Sequence, residues 1–411
     1  MLSEAGSAFW SNSGSIVARG LKVLLFNQLN ATRYVTVPLL MAAAIACGTA
    51  ATQVQTPPPA QTPTPTAVAT STPAPPVTEI PTPTVAPSPT NTSNIVSSLR
   101  DVQRATIQIQ AEGSFVDQEL GQQLNRRGRG SGLIIDESGI AVTNNHVVTG
   151  AAILQVWIGG ESNPRNARIL GASECSDLAV IDIEGDGYPV FEWFDGEIFA
   201  GLDVFAAGFP LGDPEFTLTR GIVSKTRTRG ETNWASVDSV IEHDATINPG
   251  NSGGPLVTIE GKVVGVNYAG RNETSQFFAI SRDEALKVIN QLRAGQDINS
   301  IGVNGTAVRN QEQSISGIWV ASVKSGSPAS DVGIKGGDII TKLEGLVLAT
   351  DGTMADYCDV LRTHHPEDVL SIEVLRFATG EVLEGKLNSY KLQPVPEPPI
   401  PMPTPPEKTG P

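Results

Sequence analysis

The sequence is poor in cysteine and has no excess of basic residues. Three cysteines occur in 411 residues, at positions 47, 175 and 358. Their small number excludes a disulfide-rich scaffold, and their spacing excludes a Cys-x-x-Cys metal pair. The 28 Lys and Arg residues are outnumbered by 43 Asp and Glu, and the formal net charge is −15. We therefore do not expect nucleic acid as the main partner.

Proline is scarce over most of the chain, because 21 of the 30 prolines lie in two short tracts, 57–89 and 394–411. Alternating Thr and Pro cannot bury a core and favour extended polyproline II. We therefore predict a disordered Thr/Pro-rich linker over 52–93 and a disordered Pro-rich tail over 393–411. The length predicts two or three domains, and the folded part lies between these tracts.

A hydrophobic run long enough for a confident membrane-spanning helix is also missing. The apolar stretch 35–46 is short and contains Pro38, and it is typical of an export signal. It ends at Ala46-Cys47-Gly48, which resembles the lipidation site of bacterial lipoproteins, where the Cys47 thiol would carry the lipid. A lipoprotein, a cleaved signal and an uncleaved anchor all fit residues 1–51. Each alternative places the rest of the chain outside the cytoplasm.

Residues 94–297 have the pattern of a β-rich unit. Nine short apolar runs recur, bounded by Gly, Asn, Asp and Pro, and many short strands with little helix predict a sandwich or barrel. One helix is predicted near the end, where Ser281 and Glu284 form a capping box. Leu286, Ile289 and Leu292 follow at helical spacing. Gly295 marks the end of this helix.

The stretch NPGNSGGPL, residues 248–256, carries a candidate nucleophile. A serine hydroxyl attacks a carbonyl only when a base removes its proton, and backbone N–H groups must face the developing oxyanion. The three glycines supply the conformational freedom that such a tight turn needs. We predict Ser252 as the nucleophile and the N–H groups of Gly250 and Ser252 as the oxyanion donors.

Two further segments supply a base and a carboxylate to orient it. His146 follows a strand in TNNHVV, and Asp177 enters a strand in SDLAV. A carboxylate on the far ring nitrogen fixes the imidazole tautomer, and the order His, Asp, Ser is that of chymotrypsin. We predict no catalytic role for four residues without such a context, Asp182, His243, His364 and His365.

These motifs, with AAGFPLG (206–212) and LTRGIVSK (218–225), resemble the HtrA (DegP/DegS-type) serine proteases. The resemblance implies a mainly β chain with a chymotrypsin-like double β-barrel over 94–297 and the site in the cleft between barrels. It implies the triad His146, Asp177 and Ser252, with the oxyanion hole at Gly250 and Ser252. The chain has His243 where the family often has Thr, and Ser281 where the family often has Pro.

The resemblance also bounds the substrate. In chymotrypsin-like folds the residue six before the nucleophile lies at the base of the primary specificity pocket. That residue is Thr246, and Ile247 follows it. Neither is an acid that could pair with a substrate Arg or Lys. An apolar pocket accepting Val, Leu, Ala or Ile is therefore expected.

Residues 298–392 resemble a PDZ domain of the HtrA arrangement, with SGSPA before a short helix and GGDIITKLEG after it. Such α/β domains add a peptide's C-terminal strand to an exposed sheet edge. The resemblance implies that the backbone of Ile301, Gly302 and Val303 captures the peptide carboxylate. The alternative is a small domain that only packs on the protease.

Together these observations predict a serine endopeptidase of the cell envelope that cleaves unfolded or misfolded proteins at apolar residues. C-terminal peptides would modulate it through the PDZ domain, and the N-terminus would tether it to a membrane. The resemblance suggests a homotrimer, and neither a metal nor an organic cofactor is implied. A non-catalytic PDZ scaffold or chaperone-like binding protein is the alternative function.

Overall fold

Strands are the main regular structure between residues 106 and 281 in the computed structural model, which describes residues 94–118, 121–311 and 315–395. The strands of this part are β1 (Thr106–Asp117), β2 (Gly121–Ile134), β3 (Ile140–Thr143), β4 (Ile153–Ile158), β5 (Arg165–Ser173), β6 (Leu178–Ile183), β7 (Asp203–Gly208), β8 (Thr217–Glu231), β9 (Ser236–His243), β10 (Pro255–Val257), β11 (Val263–Arg271) and β12 (Gln276–Ser281).

These strands close into two antiparallel barrels. The first has the order β1-β2-β3-β6-β5-β4, and the second has the order β10-β11-β12-β9-β8-β7. All nine apolar runs noted in the sequence lie in or overlap these strands. The structure thus confirms the double β-barrel that the resemblance implied.

The barrels share a hydrophobic core, which fixes the cleft between them. Each barrel has an apolar cluster inside it, centred on Ile109 in the first and Ile241 in the second. A third cluster joins β-strand residues of both barrels, such as Val180 and Val266, to Leu292 of a helix. Burial of this shared surface holds the two halves of the candidate site in one relative position.

Three helices accompany the barrels, α1 (Val102–Ala105), α2 (Asn145–Val148) and α3 (Arg282–Arg293), besides 3₁₀ turns at Pro210–Gly212 and Asn272–Thr274. One half of the predicted capping box is present, since the Ser281 hydroxyl accepts from the N–H of Glu284 at 3.3 Å, whereas the Glu284 carboxylate accepts from Lys287 at 2.7 Å. The predicted apolar face is partly wrong, because Leu286 is 43% exposed. The buried face is formed by residues 285, 288, 289 and 292, which follow the i, i+3, i+4, i+7 pattern of one helix face. Position 286 lies outside this pattern.

The last part of the described chain forms a separate seven-stranded sheet. Its elements are β13 (Val303–Asn310), β14 (Ile315–Val323), α4 (Pro328–Val332), β15 (Asp338–Leu343), β16 (Leu346–Val347), α5 (Ala355–Arg362), β17 (Ser371–Arg376), β18 (Glu381–Lys386) and β19 (Tyr390–Pro394). The order is β13-β14-β15-β17-β18-β19, with β16 beside β15. Strand β19 therefore ends two residues inside the stretch predicted as the tail.

One disulfide joins the first barrel to this sheet. Cys175, in the turn before β6, is bonded to Cys358 of α5, with 5.5 Å between their Cα atoms and a sequence separation of 183. The small number of cysteines excluded a disulfide scaffold, and no feature of the sequence predicted this single bond. Both cysteines are fully buried, and Cys175 belongs to the core of the last domain.

The remaining N- and C-terminal predictions lie outside the described residues. They are the export or anchor region 1–51 with Cys47, the linker 52–93 and residues 396–411 of the tail. Of the helices in the described part of the chain, none has the length and apolarity needed to cross a membrane.

Candidate active site

His146 and Asp177 are joined by two hydrogen bonds. His146 lies on α2, the single helical turn that follows β3, and Asp177 lies in the turn between β5 and β6. The carboxylate oxygen Oδ2 is 2.6 Å from the ring Nδ1, and Oδ1 accepts from the backbone N–H of His146 at 2.9 Å. Asp177 is fully buried, so both oxygens are committed to this one residue.

The asparagines of TNNH hold the backbone of Asp177 in place. The Asn144 side-chain amide and the Asn145 N–H both donate to the Asp177 carbonyl, at 2.8 and 3.2 Å. Asp177 has a φ of 48°, in the left-handed region that non-glycine residues adopt only with support. Two donors on one carbonyl supply that support.

Asp182, which lies within β6, has a different partner. It forms an ion pair with Arg168 of β5, with Oδ2 and Nη2 2.7 Å apart. The structure therefore brings Asp177, and not Asp182, to His146.

Ser252 lies on a tight turn that is closed by its own backbone. Asn251 N–H donates to Asn248 O, and Gly254 N–H donates to Asn251 O, both at 2.9 Å. Gly253 has a φ of 85°, and a Cβ there would lie 2.2 Å from Ser131 O and 3.0 Å from Asn144 N. Only glycine fits so close to the TNNH segment. The turn of Ser252 and the segment of His146 thus pack directly on each other.

The carbonyl groups beside Gly250 are held by other residues. Pro249 O accepts from Leu211 N–H at 2.7 Å, and Gly250 O accepts from the Ser131 hydroxyl at 2.7 Å. In a trans peptide the N–H points opposite to the C=O, so the N–H of Gly250 is turned away from residues 210–212. Among the residues that the structure describes, the N–H groups of Gly250 and Ser252 donate to no other protein group.

Ser131 is a structural residue of the site that the sequence analysis missed. Its hydroxyl donates to Gly250 O and accepts from Phe209 N–H at 2.9 Å, and its own N–H donates to Ser252 O at 2.8 Å. It thereby ties β2 of the first barrel to the turn of Ser252 in the second. A single serine in a glycine-rich strand gives no sequence signal for this role.

An aromatic pair lies beside the imidazole. Trp234, in the β8–β9 loop, has its ring edge-on to His146 with 5.7 Å between centroids, and Tyr268 of β11 lies 6.5 Å from Trp234. Burial raises the pKa of Tyr268, and the charge of Asp177 adds to this effect. The phenol therefore stays neutral, and the pair gives His146 an apolar wall. Neither residue was predicted from the sequence.

The predicted pocket residues differ in environment. Ile247 is 6% exposed and belongs to the core of the second barrel, whereas Thr246 is exposed and its carbonyl accepts from the Thr219 hydroxyl at 2.7 Å. His243 is fully buried beside Phe277, and burial lowers its pKa to about 4. The sequence context left open whether this histidine lies at the surface or in the core, and the structure places it in the core.

The predicted carboxylate-binding turn contacts a carboxylate of the same chain. The N–H groups of Ile301, Gly302 and Val303 all donate to Oε1 of Glu174, at 3.1, 2.7 and 2.9 Å. Glu174 lies in the first barrel, three residues before Asp177. No sequence pattern predicted this contact.

Two family descriptions match the chain. Residues 130–266 match a trypsin-like peptidase domain, and residues 300–390 match a PDZ domain. The chain is 30% identical over 333 residues to the serine protease Do-like HtrA of Lactococcus lactis, covering 72% of this chain and 80% of that protein. The chain belongs to the HtrA family of serine proteases.

For other HtrA-type relatives, the match covers a smaller share of the relative's own length. A probable periplasmic serine endoprotease DegP-like of Hahella chejuensis is 37% identical over 247 residues, which is 55% of this chain and 51% of that protein. The chain thus spans about half the length of the DegP-like relatives it matches. Among solved structures, the serine endoprotease from Yersinia pestis matches with a TM-score of 0.43 and 26% identity, covering 72% of this chain and 96% of that one.

Proposed function

We propose that this chain is a serine endopeptidase of the cell envelope that cleaves unfolded or misfolded proteins at apolar residues. The observation that carries the proposal is the pair of hydrogen bonds between His146 and Asp177, next to the turn of Ser252. A histidine without a carboxylate partner would not be held in the orientation that a general base needs.

The geometry supports the following division of roles. Asp177 holds the proton of His146 on Nδ1, which leaves Nε2 as the acceptor for the Ser252 hydroxyl proton. The Ser252 oxygen then attacks the substrate carbonyl, and the N–H groups of Gly250 and Ser252 stabilise the oxyanion. His146 passes its proton to the leaving amine, and water releases the acyl group by the same steps in reverse order. The free N–H groups and the held carbonyls of this turn support an oxyanion hole at Gly250 and Ser252.

The proposed substrate class and location follow from the pocket residues and from the disulfide. A pocket at Thr246 and Ile247 has no acid of its own to pair with a basic side chain, which favours apolar residues at the cleavage site. A relative is named a periplasmic endoprotease, and the Cys175–Cys358 disulfide is typical of oxidising compartments outside the cytoplasm. Modulation by C-terminal peptides, the homotrimer and the membrane tether stay predictions.

Casein hydrolysis by the full chain tests the proposal. We expect the wild-type protein to release peptides from casein and Ser252→Ala to lose essentially all of that activity, with the fold kept. Ser138→Ala is the matched control, because Ser138 is exposed on the β2–β3 turn and bonds only to Asp136. Hydrolysis by Ser252→Ala at the wild-type rate would show that the site is assigned wrongly.

A further inference from the structure

A buried carboxylate of the first barrel fills the turn in which a peptide carboxylate is expected. Glu174 lies between β5 and β6 and is 2% exposed. Five hydrogen-bond donors converge on its side chain. They are the N–H groups of Ile301 (3.1 Å), Gly302 (2.7 Å) and Val303 (2.9 Å) and the hydroxyls of Ser300 (2.6 Å) and Tyr357 (2.6 Å).

This arrangement has the chemistry of a carboxylate receptor. Three consecutive backbone N–H groups form a concave nest, which binds anions through its aligned dipoles and captures C-terminal carboxylates in peptide-binding domains. Burial raises the pKa of Glu174, and the donors act in the opposite direction by binding the ionised form. A carboxylate would be costly to bury here without these donors. Glu174 therefore accepts the hydrogen bonds of the nest as the C-terminal carboxylate of a peptide would.

The neighbouring edge of the PDZ sheet, strand β13, also contacts the protease domain. Strand β13 is the first strand in the order of its sheet and pairs with β14 on one side only, among the strands that the structure describes. On its other side, Ala307 N–H donates to Asn233 O at 2.6 Å. Close by, Met354 N–H donates to Thr232 O at 3.1 Å. A peptide that added a strand to β13 would compete for this edge.

The disulfide lies next to the contact between Glu174 and the nest, and each of its cysteines follows a residue of that contact. Cys175 directly follows Glu174, and Cys358 directly follows Tyr357, the residue that donates to Glu174 Oε2. While this bond is intact, Glu174 cannot move far from the nest. A tethered ligand has an effective concentration on the order of millimolar or higher, against which a free peptide must compete.

We propose that Glu174 is the resident ligand of the PDZ carboxylate turn and that the Cys175–Cys358 disulfide closes this site to peptides. A dithiol reductant opens it. The S–S bond breaks with uptake of two electrons and two protons to give two thiols, and the dithiol becomes a disulfide. Glu174 is then held only by its hydrogen bonds, and a peptide with a free carboxylate replaces it.

The same contact lies next to the triad. Residues 174–177 form one short segment, so displacement of Glu174 acts on the turn that positions Asp177 against His146. This consequence rests on the proposed function, whereas the binding claim does not. A binding assay therefore tests the resident ligand, and fluorophosphonate labelling of Ser252 tests the enzyme separately.

The experiment measures fluorescence anisotropy of a labelled pool of short random peptides that end in Val, Leu, Ile or Phe. One pool has free C-terminal carboxylates and a second pool is amidated. Each is titrated with the oxidised wild-type chain, the dithiol-treated chain, Cys358→Ser, and Cys358→Ser combined with Glu174→Ala. Glu137→Ala is the control, since Glu137 is an exposed acid of the same barrel. The treated wild-type chain keeps the test valid if a variant does not fold.

We expect the free-acid pool to bind the oxidised wild type at least about tenfold more weakly than the dithiol-treated chain. Oxidised Glu137→Ala should bind the pool as weakly as the oxidised wild type. The double variant should bind the free-acid pool most tightly. The amidated pool should bind none of them well. Equal affinity of the oxidised and reduced chains would overturn the proposal. So would equal binding of both pools, or no binding by any form, since the freed turn would then not be a carboxylate receptor.

Discussion

The replacement Asp177→Asn should disable the candidate active site with almost no change in shape. In the structure one oxygen of Asp177 accepts from the His146 ring at 2.6 Å and the other accepts from the His146 backbone N–H at 2.9 Å. An asparagine has only one oxygen for these two donors. If that oxygen keeps the backbone N–H, the amide NH₂ faces Nδ1. The ring proton then moves to Nε2, which no longer accepts the Ser252 proton.

The opposite orientation of the amide places its NH₂ against the buried backbone N–H of His146. That arrangement leaves a buried donor without a partner and costs about 1–3 kcal/mol, so the inactive tautomer is favoured. A wrong tautomer of this kind lowers kcat about 10⁴-fold, which corresponds to about 5 kcal/mol in activation free energy.

The assay is kcat/KM for hydrolysis of fluorescent casein, with circular dichroism to confirm the fold. Asp182→Asn is the matched control. It changes an acid five residues away that pairs with Arg168, and a partly exposed pair of this kind contributes about 0–1 kcal/mol. Asp182→Asn should keep wild-type kinetics. A kcat/KM of Asp177→Asn within tenfold of the wild type, or an equal loss of activity in both variants, would refute this role of Asp177.

Three further outcomes follow from the structure. Ser281→Ala should lower the free energy of unfolding by about 1 kcal/mol in urea titrations, because it removes the cap on Glu284 N–H; an unchanged midpoint would contradict this role. Burial lowers the pKa of His243 from 6.5 to about 4, so unfolded chains bind more protons in that range and stability falls as the pH falls from 6.5 to 4. His243→Phe should remove roughly 3 kcal/mol of that fall, and equal pH dependence of the two proteins would be inconsistent with a buried neutral histidine. In a peptide library, kcat/KM should be at least about tenfold higher for Val or Leu than for Lys or Arg at the cleaved residue, and a basic preference would exclude the apolar pocket at Ile247.

Local patterns were enough to predict most of the strands and to single out the three residues of the candidate triad. Apolar runs bounded by turn residues identify strands without knowledge of their partners. The motifs around His146, Asp177 and Ser252 each combine a reactive side chain with the turn residues that hold it. Strands β5 and β9 lack this signal, because polar side chains such as Arg168 alternate with short apolar ones and pair across the sheet instead.

Contacts between distant segments were not predictable in the same way. Glu174 and Val303 are 129 residues apart, and Cys175 and Cys358 are 183 apart. No short motif encodes either contact. The glycine at 302 indicated a carboxylate-binding turn, but which carboxylate fills it depends on how the two domains pack. Trp234 likewise reaches His146 through the path of the β8–β9 loop, which single-sequence patterns do not specify.

The central claim is that Ser252 is a nucleophile activated by His146. Treating the oxidised full chain with a fluorophosphonate and locating the adduct by peptide mass spectrometry tests it most directly, without any assumption about substrate. We expect one adduct, on Ser252, that is lost in Ser252→Ala and forms much more slowly in His146→Ala. An unlabelled Ser252 in the folded protein, or equal labelling of the wild type and His146→Ala, would contradict it.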